Sequence, residues 1–153
     1  MQRPEFETFD KEWAERVTGA KAKSGIDGFL GITITEVAPG RLVAEMEVTP
    51  QLMTFIGNMH GGCLSALCDH VLGTVMYPVM PPGYWAATTE FKINLLAPVT
   101  KGACRATAEI IAMTRRMAVV RIEVENEERL VAAAQGTCTI VAPRAAPADA
   151  KPG

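Results

Sequence analysis

Apolar and polar residues alternate with a period of two over most of this chain, and once, near the middle, the period lengthens. Leu64, Leu67, Cys68, Val71, Leu72, Val75, Met76 and Val79 recur at the i, i+3, i+4, i+7 spacing that stripes one side of a helix. The spacing predicts a helix that opens at His60-Gly61-Gly62 and stops near Pro78, because a proline cannot continue the hydrogen-bond ladder; Pro81-Pro82-Gly83 reinforces the stop. Its other side carries Gly62, Ser65, Ala66, Asp69 and Gly73, all small apart from one carboxylate. A helix this bare on its second side can be packed on both.

Six runs alternate in strand fashion. Residues 32–37 and 41–48 flank the turn Pro39-Gly40 and read as a hairpin, with Leu42, Ala44, Met46 and Val48 on one face. After the helix come 85–96, 103–112, 117–125 and 130–141. In the first of these, Trp85, Ala87, Thr89, Phe91, Ile93 and Leu95 are expected on one face. The links, 97–102, 114–116 and 126–129, are short, which implies antiparallel neighbours. Ahead of all this, residues 1–28 are expected to be a helix and loop of the same domain, with Phe9, Trp13 and Val17 on one side. Lys21 to Gly25 reads as loop, 29–142 as the main domain, and 143–153, rich in Ala and Pro, as a disordered tail. One long apolar helix among six antiparallel strands is an α+β pattern, and a single curved sheet wrapped around the helix buries it most economically.

Composition narrows the function classes. A length of 153 residues fits one domain, and 48% apolar with 21% charged residues is an ordinary globular balance. A net charge of −2 argues against nucleic acid or an anionic membrane as the main partner. The chain has no apolar run long enough for a membrane-spanning helix, and its start lacks the layout of a signal peptide, so a cytoplasmic protein is expected. Cys63, Cys68, Cys104 and Cys138 form no C-x-x-C pair, and with only His60 and His70 no metal-ligand spacing arises; reduced, buried thiols and no metal are expected.

The Asn-x-His-Gly-Gly turn at Asn58 to Gly62, an Asp nine residues after the His, and a long strand ending Asn94-Leu95-Leu96-Ala97-Pro98 resemble the hotdog-fold acyl-CoA thioesterases. The likeness is greatest to the phenylacetyl-CoA thioesterase-like (4-hydroxybenzoyl-CoA thioesterase) superfamily and covers roughly residues 29–142. It implies a hotdog dimer, or a tetramer of two dimers, that hydrolyses coenzyme A thioesters with no cofactor beyond the coenzyme A of its substrate. It also implies a substituent at Thr88 that assists a nucleophilic water. Some relatives place Asn or Gln six residues before the His; that position here is Thr54, with Asn58 nearer the turn, and either residue is a candidate for contacting the substrate.

Chemistry points to the same residues. The first amides of a helix lack internal partners and carry the positive end of its dipole, so Gly61 and Gly62 can polarise a carbonyl, Gly61 foremost. Asp69, ionised near neutral pH, can take a proton from water or attack the carbonyl itself. Gly61 and Asp69 are eight residues apart, or about 12 Å along one helix. One carbonyl cannot touch both, so a shared site must draw them from two chains, with two equivalent sites by symmetry. His60 is expected to hold the loop or line the pocket rather than transfer protons, and His70 to be structural. Arg115 and Arg116, with Lys92 and Lys101, are candidates for the coenzyme's phosphates. Phe55, Ile56, Met76, Met80 and Trp85 are candidates for lining the acyl group. Two alternatives stand beside hydrolysis: a hotdog hydratase or dehydratase, and a non-catalytic acyl-CoA-binding module.

Overall fold

The computed structural model describes residues 4–21 and 24–143. Among them the periodic middle segment forms α3 (Gly61–Thr74), followed by a 3-10 turn at Tyr77–Val79 that carries Pro78. The helix therefore ends a turn earlier than Pro78 alone dictates. Two shorter helices precede the sheet, α1 (Lys11–Val17), capped by the Asp10 side chain, and α2 (Gly25–Leu30). Phe9 lies just ahead of α1, while Trp13 and Val17 are in it; all three pack against the core. The expected disordered tail falls, apart from Pro143, outside the described residues, as do two positions of the expected loop at 21–25.

The strands are β1 (Thr33–Ala38), β2 (Arg41–Glu47), β3 (Trp85–Leu95), β4 (Ala103–Met113), β5 (Met117–Asn126) and β6 (Arg129–Val141). They make one antiparallel sheet in the order β1-β2-β4-β5-β6-β3. The α3 stripe packs on its concave face, where Leu67, Leu72, Met76, Leu42, Met46 and Ile122 are fully buried. Leu42, Ala44 and Met46 share the inward face as their alternation requires, whereas Val48 follows the strand and is only partly buried. Each buried Leu or Ile contributes about 1.5–3 kcal/mol over leaving it in water, so the helix stripe holds the sheet's curvature.

Two expectations are corrected. The link after β3 does not join neighbours: β4 pairs with β2 and β5, and β3 crosses to the far edge beside β6. Seven linking residues reach about 23 Å when extended, enough to pass over two strands, so a short link permits this crossing. The β3 alternation also breaks. Thr88 pairs with Cys138, but Glu90 pairs with Thr137, leaving Thr89 as an extra residue in a bulge. Directly opposed residues share a face, so Thr88, itself exposed, lies on the helix side with buried Cys138, and Phe91, Ile93 and exposed Leu95 with Gly136, Ala134 and Ala132. Trp85, Ala87 and Thr89 are on the outer face, where the Thr89 hydroxyl meets that of Thr139 at 2.7 Å.

The hairpin between β5 and β6 turns on Glu127 (φ 50°) and Glu128 (φ 63°), both left-handed. Two such residues define the turn type that favours Asn-Gly. Glu127 holds Lys101 at 3.2 Å, an exposed pair of small value. Glu127→Asn with Glu128→Gly is therefore expected to raise unfolding stability by about 1–2 kcal/mol, read as a higher urea midpoint.

Candidate active site

The turn before α3 is held by backbone hydrogen bonds. The Thr54 N–H donates to the Asn58 carbonyl at 2.7 Å, the Met59 N–H to Val99 at 2.7 Å and the His60 N–H to Leu52 at 2.8 Å. These pin the helix start against the end of β3. His60 is the N-cap: its Nδ1 accepts the Gly62 N–H at 2.8 Å. An Nδ1 that accepts this bond carries no hydrogen, which leaves Nε2 as the ring's donor. A cap of this kind is worth about 1 kcal/mol to the helix.

The cap separates the two glycines. The Gly62 amide is consumed by His60, while the Gly61 amide has no hydrogen-bond partner among the described residues. Of the two expected oxyanion donors only Gly61 is available. It lines a cavity of about 250 Å³ with Asn58, Leu64, Leu95, Leu96 and Pro98. A Cβ on Gly61 would lie 2.5 Å from Leu95 Cδ1, so glycine is what lets this wall close up. The leucines escaped sequence reasoning; the available signal was two adjacent apolar residues at a strand end, half exposed at 54% and 52%.

Asp69 is exposed two turns further along α3, on the unburied face with Gly62, Ser65, Ala66 and Gly73. Its charge acts on two buried thiols. Burial pushes the Cys138 thiol up to about 11; the Thr88 hydroxyl lowers it by hydrogen bonding and the Asp69 carboxylate raises it. Thr88 is the β3 partner of Cys138, whose Sγ donates to the Leu72 carbonyl of α3 at 3.5 Å. The bulge is what turns Thr88 to this side. Burial, with Asp69 and Cys104 adding, raises Cys68 to about 12, and burial likewise lifts Cys104 to about 11. These three cysteines are buried, Cys63 is half-buried, and all four are free thiols. Protonated thiols of this kind are poor nucleophiles.

Because the folded protein holds these thiol protons to higher pH than the reference 9.0, it binds more protons than the unfolded chain between about pH 9 and 11. Stability is accordingly expected to fall as pH rises through that window. Urea midpoints measured across it check this, and a fall no shallower in Cys68→Ala would remove Cys68 from the account.

The other candidates separate. His70 Nδ1 lies 3.1 Å from Asp27 Oδ1, which ties α2 to α3. Arg115 and Arg116 occupy the β4–β5 turn, at the end of the sheet where β3 begins, remote from the Gly61 cavity. Arg115 lines a larger cavity of about 640 Å³ with Phe6, Tyr84 and Met113. Lys101 pairs with Glu127 at the opposite end. Phe55 and Ile56 are exposed on the turn and Trp85 is half exposed, whereas Met76 is buried in the core and Met80, also buried, lines a separate pocket with Trp13 and Tyr77. Among the described residues no cluster of His, Cys, Asp or Glu is arranged to hold a metal, and no helix is long and apolar enough to cross a membrane.

The cavity lies at the helix N-terminus, and the carboxylate with its threonine lies about 12 Å further along. Neither half alone can bind and attack a carbonyl.

The chain is similar to known proteins. A profile of the thioesterase superfamily matches residues 56–133. The 1,4-dihydroxy-2-naphthoyl-CoA hydrolase of Listeria monocytogenes is 30% identical over 117 residues, which cover 76% of this chain and 94% of that protein. Human acyl-coenzyme A thioesterase 13 is 26% identical over 109 residues, covering 71% and 77%. The solved structure of the E. coli PaaI protein, from the phenylacetic acid degradation operon, superposes with a TM-score of 0.70 at 27% identity, over 75% of this chain and 83% of that one.

Proposed function

This chain belongs to the thioesterase superfamily and is a thioester hydrolase of the hotdog fold, and from that premise we propose that it hydrolyses acyl-CoA in sites formed between two copies of itself. One observation carries the reading: the unpartnered Gly61 amide and the exposed Asp69 carboxylate lie along one edge of the protomer, too far apart to share a carbonyl.

The edge in question is β3. Eleven residues long and paired only with β6, it presents a row of unpaired backbone groups, an arrangement that invites another strand. Half-exposed Trp85 and Leu95 at its two ends, and fully exposed Phe55 on the turn before α3, would be covered by a partner. A two-fold axis through β3 sets the start of one strand against the end of the other. Leu95 neighbours Gly61, and Thr88 neighbours Cys138 beside Asp69. The pairing therefore brings Asp69 and Thr88 of one copy towards Gly61 of the other, twice over. Arg115 and Arg116 arrive on the Asp69 side, at the rim, where a phosphate-bearing coenzyme can reach them.

Chemically, the Gly61 N–H and the positive helix terminus stabilise the oxyanion as the carbonyl becomes tetrahedral. Asp69 acts as base or nucleophile. As base it takes a proton from water while the water oxygen bonds to carbon; the C–S bond then breaks and the departing thiolate recovers the proton. As nucleophile it forms an acyl–aspartyl anhydride, expels the thiolate, and water cleaves the anhydride. Thr88 orients the water in either route. His60 supports the reaction through the cap that commits the Gly62 amide and spares Gly61's.

A panel of aromatic and aliphatic acyl-CoAs with a thiol-detecting reagent tests the activity, and light scattering tests the dimer. Free coenzyme A from a dimeric protein is the expected result. Hydration of an enoyl-CoA without thiol release, or tight binding without turnover, overturns it.

A further inference from the structure

The pocket that Trp13, Tyr77 and Met80 line is a groove of about 360 Å³ between the arm leading into α1 and the turn after α3. Two bonds join these walls: the Asp10 N–H donates to the Pro78 carbonyl at 2.7 Å, and the Thr8 hydroxyl to the Val79 carbonyl at 3.4 Å. Aromatic rings line it. Trp13 stacks on Tyr77 with centroids 6.0 Å and planes 18° apart, and Tyr84 joins them beside Pro82 and Gly83. Among the described residues the Trp13 indole N–H and the Tyr77 and Tyr84 hydroxyls meet no acceptor. Aromatic faces beside idle donors are what proline-rich segments dock on, because a chain in the polyproline conformation leaves its carbonyls unpaired. We propose that this groove is the docking site of the chain's own C-terminal segment, residues 144–153, with Pro147 seated on the Trp13–Tyr77 pair. The proposal stands independently of the hydrolytic reading.

Position favours this occupant first. β6 ends at Val141 opposite Trp85, and Pro143 then arrives against Gly83, where a Cβ would lie 3.6 Å from Pro143 Cγ. Gly83 lines the groove, so the segment begins at its wall. Composition agrees. Arg144-Ala145-Ala146-Pro147-Ala148-Asp149-Ala150-Lys151-Pro152-Gly153 is built largely of small side chains, and its prolines, with φ already fixed, have less freedom to lose on docking. Charge agrees as well: among the described residues Asp10 is the one charged side chain lining the groove, and the segment sets Arg144 and Lys151 against Asp149 alone. From Pro143 to Pro147 the chain reaches about 12 Å in the polyproline conformation. A tether this short holds the segment at an effective concentration of about 1 mM, which a second copy or a separate proline-rich protein does not match. Once docked, the segment clamps the arm ahead of α1 to the turn after α3.

Trp13 reports the docking. In a Trp85→Phe background it is the sole tryptophan. Ending that chain at Pro143 is expected to shift Trp13 emission to longer wavelength and to raise its quenching by acrylamide about twofold, as a ring kept covered by a tethered segment becomes open. A synthetic peptide of residues 144–153 added to the shortened chain is expected to reverse both changes, and calorimetry to give a Kd of about 0.1–0.3 mM, tighter than the effective concentration of the tether. Asp10→Asn keeps a helix cap but loses the charge, and is expected to weaken the peptide about threefold. Pro147→Gly in the full-length chain is expected to reproduce the emission of the shortened one, and serves should the shortened chain fail to fold by circular dichroism. Unchanged emission and quenching in the shortened chain overturn the docking, and unchanged values in Pro147→Gly overturn the seat assigned to Pro147. Peptide that binds Trp13→Leu as tightly as the shortened chain, or fails to bind the shortened chain at about 5 mM, several times the effective concentration, overturns the groove as its site. If quenching in the full-length chain rises on dilution, or light scattering shows that shortening breaks up an assembly, the segment docks on a second copy and the intramolecular seat is overturned.

Discussion

Asp69→Asn is expected to lower kcat for acyl-CoA hydrolysis about a thousandfold while leaving the unfolding midpoint and the oligomeric state unchanged. Loss of a positioned general base costs about 10²–10⁴ in rate, and loss of a nucleophile at least as much. Stability is spared because the side chain is exposed on the bare face of α3, and no hydrogen bond or ion pair holds it among the described residues. The variant therefore separates chemistry from folding. A kcat within tenfold of wild type would remove Asp69 from the reaction.

The same residue tests the arrangement between chains. Gly61→Val puts a branched side chain where even a Cβ would meet Leu95 at 2.5 Å, and so closes the cavity. Each single variant should be inactive. In a mixed dimer, Gly61 of the Asp69→Asn chain faces Asp69 of the Gly61→Val chain, which makes one intact site and one doubly broken one. Refolding the two variants together at equal concentration gives about half mixed dimers, hence about a quarter of wild-type activity. A site made within one chain would give none.

The second large effect is expected at Gly136, which contacts no substrate. A Cβ there would lie 2.5 Å from Phe91 Cβ, 2.7 Å from the Glu90 carbonyl oxygen and 2.8 Å from Leu72 Cδ2. The Glu90 carbonyl belongs to the backbone and cannot step aside without moving β3. Gly136→Ala is therefore expected to cost about 2–3 kcal/mol, at the upper end for one added methyl in a packed core, because strand and helix are both pushed. Glu90 adjoins the bulge that turns Thr88 towards Cys138 and Asp69. Thermal denaturation reads the loss of stability. Assay of the folded fraction is expected to show lower kcat as well, since in the proposed dimer the register of β3 sets where Asp69 and Gly61 meet. Stability within about 0.5 kcal/mol of wild type would mean that β3 has slack the distances do not show.

Much of the architecture was legible because its signals are local. The helix stripe from Leu64 to Val79 and the six alternating runs depend only on residues near one another in sequence. They placed every strand to within about one residue and the start of α3, though the helix ends a turn before Pro78, and with the His60-Gly61-Gly62 turn and Asp69 they pointed to the family. The first α2 residues gave no such signal: Gly25-Ile26-Asp27-Gly28-Phe29-Leu30 is too short for a period and holds two glycines. It is helical because Leu30 is buried and Asp27 reaches His70, contacts that exist only once α3 is in place.

From the residues alone came a helix with one greasy and one bare side, the strands to wrap it, and two chemical groups spaced too widely to serve one carbonyl. Tertiary structure decided which strand became the free edge, where β3 skips a residue so that Thr88 lies on the helix side, and which of two adjacent glycine amides His60 leaves open. The division has a physical cause. Periodicity records which side of an element is buried, whereas strand order, register and the choice of hydrogen-bond partner are settled between segments far apart in the chain, by packing that no local pattern encodes.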